Sequence, residues 1–196
     1  MIELRRVCVF CGSSPGGDPA YAVVARDLGR ALAAAGIGLV YGGGTIGLMG
    51  VLADAVLEGG GEVTGVIPDH LKRREIDHPG VQDLRVVQTM HERKALMHDL
   101  SDAFVALPGG LGTMEELFEI WTWLQLGLHA KPIGLLQVAG YFDGLLGFLD
   151  HAVEEGFVQL GIRRLLVDDT DPDDLLARLE DFDPPATERW IGPEDR

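Results

Sequence analysis

This 196-residue chain is short of cysteine, of lysine and of positive charge. It has two cysteines, Cys8 and Cys11, spaced Cys-x-x-Cys with no second pair to complete a zinc site. On a strand, residues three apart point to opposite faces, so both thiols are expected to be reduced, partly buried and structural. Basic residues number 16 against 31 acidic ones, a net charge of −15, which disfavours non-specific binding to nucleic acid or anionic membrane. No apolar run approaches the ~20 residues of a membrane span. Met1 to Arg6 leads straight into a short apolar strand, without the longer apolar core of a signal peptide. These absences lead us to expect a soluble, cytoplasmic protein with no nucleic-acid or membrane partner.

Hydrophobic residues make up 46% of the chain and charged ones 24%, enough for one packed domain of this length. Apolar strands alternate with helical stretches: strand Arg6–Gly12, helix from Pro19 to about Ala35, strand Ile37–Tyr41, helix Gly47–Glu58, strand Glu62–Ile67. After a basic, polar loop come a short strand at Leu84–Val87, a helix from Thr89 to about Ser101, and a strand at Ala103–Leu107. Helix Thr113–Leu126, strand Lys131–Leu136, helix Phe142–Glu155, a short strand near Leu165 and a helix from Pro172 complete the pattern. Strands apolar on both faces mean a parallel sheet covered on both sides. The expected fold is therefore a single Rossmann-like, doubly wound α/β domain over residues 1–180. An acidic, flexible tail over residues 181–196 is expected to follow it.

Three strand-to-helix junctions carry residues suited to chemistry. Pro108-Gly-Gly-Leu-Gly-Thr-Met-Glu-Glu116 opens a helix, where glycines admit an oxyanion and the first-turn N–H groups suit a phosphate. Thr113 and Glu116 also have capping-box spacing, so on spacing alone Glu116 serves equally well as a helix cap. Gly42-Gly43-Gly44-Thr45-Ile46-Gly47 satisfies the Gly-x-Gly-x-x-Gly fingerprint, with Asp69 after the next strand, which permits a dinucleotide reading and a nicotinamide-dependent oxidoreductase. That fingerprint belongs after the first strand of its unit, and here a strand and a helix precede it. With Cys11-Gly12-Ser13-Ser14 on a third strand end, the loops fit a phosphate-bearing mononucleotide better, and Ser14, Gly43, Gly44, Thr45 and Gly109 become candidate contacts.

The third junction is Thr89-Met90-His91-Glu92-Arg93-Lys94, within a cluster of six basic residues in an otherwise acidic chain. Thr89 and Glu92 again have capping-box spacing, which puts Arg93 near a helix start, where the dipole prefers negative charge. A residue opposing its local preference is better explained by a ligand. His91 and His98, seven apart, read as an exposed stripe, Met90 and Met97 as core, and no metal site is expected.

Taken together these motifs resemble the LOG ("lonely guy") family, cytokinin riboside 5′-monophosphate phosphoribohydrolases long labelled lysine decarboxylases. The resemblance rests on Pro-Gly-Gly-x-Gly-Thr-x-x-Glu at 108–116 and Met-His-x-Arg-Lys at 90–94. It extends through the glycine run at 42–50, Arg74-Glu75, Ser101 to Pro108, Trp123 to Gly127, Lys131-Pro132 and Glu154 to Phe157. It implies hydrolysis of the N-glycosidic bond of adenine-type nucleoside 5′-monophosphates without a cofactor, and a homodimer or higher homo-oligomer. By position it implies Arg93 and Glu116 as the catalytic pair. Substrate contacts would fall on Glu75, Met90, Lys94, Gly110, Leu111, Gly112, Thr113, Met114, Glu115 and Thr122. A decarboxylase using pyridoxal phosphate needs a Schiff-base lysine, and Lys72, Lys94 and Lys131 offer no convincing context. The competing class is a non-catalytic nucleotide or cofactor carrier. The dimer has a physical argument too: Leu117–Leu128 is apolar nearly all round, and one sheet covers only one side of it.

Overall fold

The structure is a computed structural model and describes residues 1–71 and 78–183. The segment holding Lys72, Arg74 and Glu75 lies outside the described residues, as does the tail beyond Asp183. Seven parallel strands form the sheet: β1 (Arg6–Phe10), β2 (Gly38–Tyr41), β3 (Val63–Pro68), β4 (Asp83–Val87), β5 (Ala103–Ala106), β6 (Ile133–Leu136) and β7 (Leu166–Asp169). The described helices are α1 (Pro19–Ala34), α2 (Gly47–Glu58), α3 (Met90–Asp99), α4 (Leu111–Gln125), α5 (Asp143–Glu154), α6 (Leu160–Arg163) and α7 (Pro172–Glu180). The short α6 was not anticipated, because one turn leaves no periodic pattern to read.

Alternation within the strands sorts the core into two layers. Val7, Val9 and Cys11 pack with Leu28 and Leu32 of α1, Leu48 and Leu52 of α2, and Leu175 and Leu179 of α7. Cys8 and Phe10, pointing the other way, pack with Met97 of α3, Leu117, Trp121 and Leu124 of α4, and Leu149 of α5. Both cysteines are buried, unoxidised and on opposite faces of the sheet, as their spacing requires. Each fully buried aliphatic side chain contributes about 1.5–3 kcal/mol, so both layers are needed for a sheet this apolar. The expected doubly wound sheet with helices on both faces is what the chain forms. Among the described residues no helix is long and apolar enough to cross a membrane.

The strand order β4-β3-β2-β1-β5-β6-β7 matters most for function. The chain winds outward from β1 to β4, then α3 carries it back across to β5, on the other side of β1. Winding direction therefore reverses between β1 and β5. Loops leaving the carboxyl ends of those two strands diverge, and the crevice between them is where such sheets bind ligands. Gly12 N–H to the Pro108 carbonyl, 3.0 Å, and Leu48 N–H to the Gly12 carbonyl, 2.9 Å, fix the crevice floor.

Candidate active site

Two local rules place the key side chains. At the start of α3 the Thr89 hydroxyl accepts from Glu92 N–H at 3.1 Å, while the Glu92 carboxylate accepts from Gln88 and Thr89 N–H. This is the capping box read from the sequence, and it makes Arg93 the fourth residue of the helix. At α4 the same spacing fails. The helix starts at Leu111 with Gly110 as its cap residue, and no side chain caps it. Thr113 is already the third helical residue, 3% exposed, and Glu116 the sixth, too far along to reach the cap. The capping alternative for Glu116 is thus removed, and the first-turn N–H groups of α4 are left for an anion.

Arg93 and Glu116 meet at one cavity of about 200 Å³ above the crevice. Cys11 and Ser13 from the β1 end, Gly42 from the β2 end, and Gly110, Leu111, Gly112 and Thr113 from α4 complete most of its wall. Met49 and Met97 supply apolar surface. Arg93 is 7% exposed, an unusual burial for a charge. Its Nη2 donates to the Gly42 carbonyl over a long 3.4 Å, its Nη1 only to the weak acceptor Met90 Sδ at 4.0 Å, and its Nε has no partner among the described residues. A buried guanidinium so thinly paired is costly unless a ligand completes its hydrogen bonds. Burial, chiefly, and the Glu116 charge push the Cys11 thiol up, so the cavity wall stays neutral there.

A second cavity of about 220 Å³ adjoins the first through Ser13 and Gly110. Ser14 and Gly109 line this one, together with Tyr21 and Tyr141, whose rings meet edge to face at 5.7 Å. The Tyr141 hydroxyl donates to the Gly109 carbonyl and so pins the loop that opens α4. Sequence reasoning missed this tyrosine, because it follows β6 with no motif around it.

The remaining candidates scatter. Gly43 and Gly44 are buried, and Thr45 is half-buried, but none lines either cavity. Gly43 (φ +81°) packs on Ile67 and Leu84, and Gly47 (φ +64°) lies against the Ser13–Ser14 backbone. Gly43 and Gly47 thus serve close packing around the crevice, while Gly42 lines the cavity. Thr122 is exposed and donates to the Phe118 carbonyl at 2.7 Å within its own helix. Met90 and Met114 are half-buried beside the site without lining it, and Glu115 is exposed. Lys94 differs from expectation most. Its side chain is 10% exposed, and its ammonium is bonded to Glu115 at 2.5 Å and Glu119 at 2.9 Å. His98 likewise departs from the expected exposed stripe: it is buried at 5%, stacked on Phe104 and against His129 and Trp123.

This geometry can be set beside known proteins. A probable cytokinin riboside 5′-monophosphate phosphoribohydrolase of Oryza sativa subsp. japonica, LOGL5, is 54% identical over 183 residues, 93% of this chain and 74% of its own. Cytokinin riboside 5′-monophosphate phosphoribohydrolase LOG1 of Arabidopsis thaliana is 51% identical over 182 residues, 93% and 85% of the two chains. This chain belongs to the LOG family. A family model described as a possible lysine decarboxylase also matches residues 49–179. Among the described residues no lysine lines the cavity of this LOG-family chain, and Lys131 donates to the His98 carbonyl at 2.6 Å. In fold the chain is similar to the molybdenum cofactor binding protein of Rippkaea orientalis. That match has a TM-score of 0.69 and 19% identity, covering 92% of this chain and 98% of the other. A molybdenum cofactor carrier protein of Chlamydomonas reinhardtii matches with a TM-score of 0.68 and 21% identity, covering 91% and 98%.

Proposed function

We propose that this protein hydrolyses the N-glycosidic bond of adenine-type nucleoside 5′-monophosphates, cytokinin nucleotides among them, to free base and ribose 5-phosphate. The observation carrying this reading is that a buried, under-bonded arginine and a carboxylate face one cavity at an uncapped helix start. The 5′-phosphate binds the N–H groups of Gly110 to Thr113, where the dipole of α4 favours negative charge. That remote contact fixes the ribose between Arg93 and Glu116. As the bond between base and anomeric carbon breaks, its electron pair leaves with the base, which takes up a proton from solvent; positive charge develops on the ribose, and the Glu116 carboxylate stabilises it. Glu116 also takes the proton of the attacking water, whose oxygen bonds to the anomeric carbon. A guanidinium does not release its proton in proteins, so Arg93 holds and orients the nucleotide and offsets its charge.

The decisive substitution is Glu116→Gln, which keeps the shape and removes the charge. Base release from AMP should fall on the order of 10²–10⁴-fold in single turnover, with AMP affinity retained in calorimetry. Wild-type protein that binds AMP and releases no base would put the carrier reading ahead. Running AMP and isopentenyl-AMP side by side reads base preference in the same assay.

The working unit in this reading is a homodimer. α4 buries Leu117, Ile120, Trp121 and Leu124, yet leaves Leu111 91% exposed and Phe118 37% exposed at the mouth and flank of the site. A second copy would cover that face. Light scattering should give about twice the 21.1 kDa chain mass, and a monomer at micromolar concentration would refute it.

A further inference from the structure

Lys94 stands next to Arg93, on the helix that points its guanidinium into the cavity. Its ammonium is nonetheless turned onto α4, 2.5 Å from Glu115 and 2.9 Å from Glu119. Those two carboxylates are one helical turn apart, and Glu116 follows the first of them directly. Arg93 and Lys94 on α3 therefore face Glu116 and the Glu115–Glu119 pair on α4, in two adjacent layers. The inner layer borders the cavity. The outer layer is a clamp.

Exposure shows that the clamp is not an ordinary surface pair. The Lys94 side chain is 10% exposed and that of Glu119 23%, whereas Glu115 is 53% exposed and the described ion pairs at Arg5, His78, Arg85, Arg163 and Arg178 each leave at least one partner more than 45% exposed. Partial burial reduces screening, and two acceptors on one ammonium restrict its geometry more than a single contact does. Met97 and Leu96 of α3 share one apolar layer with Met114, Leu117 and Trp121 of α4. The hydrophobic effect that holds such a layer is non-directional. The ammonium bridge is directional, and it crosses the interface one residue away from each member of the catalytic pair.

We propose that Lys94 and Glu119, with Glu115, form a positioning clamp that sets Arg93 against Glu116, and that the Lys94 ammonium does not hold the substrate phosphate. This rests on the phosphoribohydrolase reading and changes the role that position would otherwise take. The two roles predict opposite signs for one substitution. If Lys94 is a clamp, Glu119→Gln loosens the catalytic pair. If Lys94 grips phosphate, Glu119→Gln frees the ammonium for the ligand.

The test is steady-state base release from AMP, with calorimetric AMP affinity and thermal unfolding, for wild type, Glu119→Gln, Lys94→Met, Lys94→Arg and the double variant Lys94→Met/Glu119→Gln. Glu119→Gln is expected to lower kcat about tenfold, since sub-ångström misplacement of reacting groups has effects of that order, with KM within about threefold. Lys94→Met should match it, and the double variant should be no worse than Lys94→Met, because one unit is broken only once. Lys94→Arg should restore most of kcat, its guanidinium spanning both carboxylates. A lower KM and tighter AMP binding in Glu119→Gln, with kcat unchanged, overturns the proposal. So does a fall in melting temperature with kcat unchanged, which would make the bridge merely structural. Wild-type protein without base release overturns the functional reading and the clamp with it, whereas an active wild type with an unaffected Glu119→Gln overturns the clamp alone.

Discussion

Adding one methyl group at Gly42 tests whether the position of Arg93 matters. A Cβ built there lies 2.3 Å from Arg93 Nη2, 3.1 Å from Met49 Sδ and 3.5 Å from Arg93 Cζ. Ordinary contact is about 3.5 Å, so the guanidinium must retreat by about 1.2 Å. The bond from Nη2 to the Gly42 carbonyl, already long at 3.4 Å, does not survive that movement. A misplacement of about 1 Å in a positioning group costs on the order of 10²-fold in rate, or about 3 kcal/mol of barrier. Folding stability should move little. Gly42 is not among the glycines with positive φ, so alanine suits the backbone. The reduced freedom of the unfolded chain then contributes about 0.4–1 kcal/mol in favour of folding, against the local crowding. Gly42→Ala should therefore lose about 10²-fold of single-turnover base release with a melting temperature close to wild type. Turnover within twofold of wild type would mean that the placement of Arg93 is not what drives the reaction.

Gly109→Ala should damage folding and activity together. Its Cβ would lie 2.1 Å from Thr113 Oγ1 and 2.8 Å from the Gly12 nitrogen, and overpacking of that kind costs about 1–3 kcal/mol, readable as a shifted urea midpoint. Burial, above all, holds the Cys8 and Cys11 thiols well above their usual range. Groups with raised folded-state values add stability that is complete below about 8.5, the unfolded thiol value, and is lost as pH rises past it. Melting temperatures should therefore fall between pH 7 and pH 9.5, and less so in Cys8→Ala/Cys11→Ala. An equal fall in both proteins would assign the effect to other groups.

The sheet was legible because its strands are apolar on both faces, a pattern that amphipathic strands of an open antiparallel sheet do not give. Helix starts were legible where a side chain caps and misleading where a glycine does. Thr113 has the residue type and spacing of a cap, but it is buried against Gly109, and only the three-dimensional approach of those loops shows it. His98 was misread for a related reason. A seven-residue spacing places it on a helix face with His91, but does not say that Phe104 and Trp123 cover only one end of that face. The inward, cavity-facing position of Arg93 could be inferred from a local conflict, a cation at the positive end of a helix. Lys94 posed the same conflict. Its resolution lay 21 and 25 residues away on another helix, where no local pattern reaches.

The two threonine-glutamate pairs show how one spacing is put to opposite uses at this site. At Thr89 and Glu92 the side chains occupy each other's N–H groups at the helix start, and what α3 turns into the cavity is a cation. At Thr113 and Glu116 the helix has already begun, so the side chains are released from capping and the end itself stays open. α4 therefore contributes N–H groups and a carboxylate. A nucleotide needs all three: donors for its phosphate, a fixed positive charge beside its ribose, and a negative charge where the oxocarbenium forms. In a chain carrying −15 overall, a site built from helix ends concentrates positive potential within one turn of each axis. Under the proposed function, small phosphate esters are held there while the net negative charge of the chain repels larger polyanions.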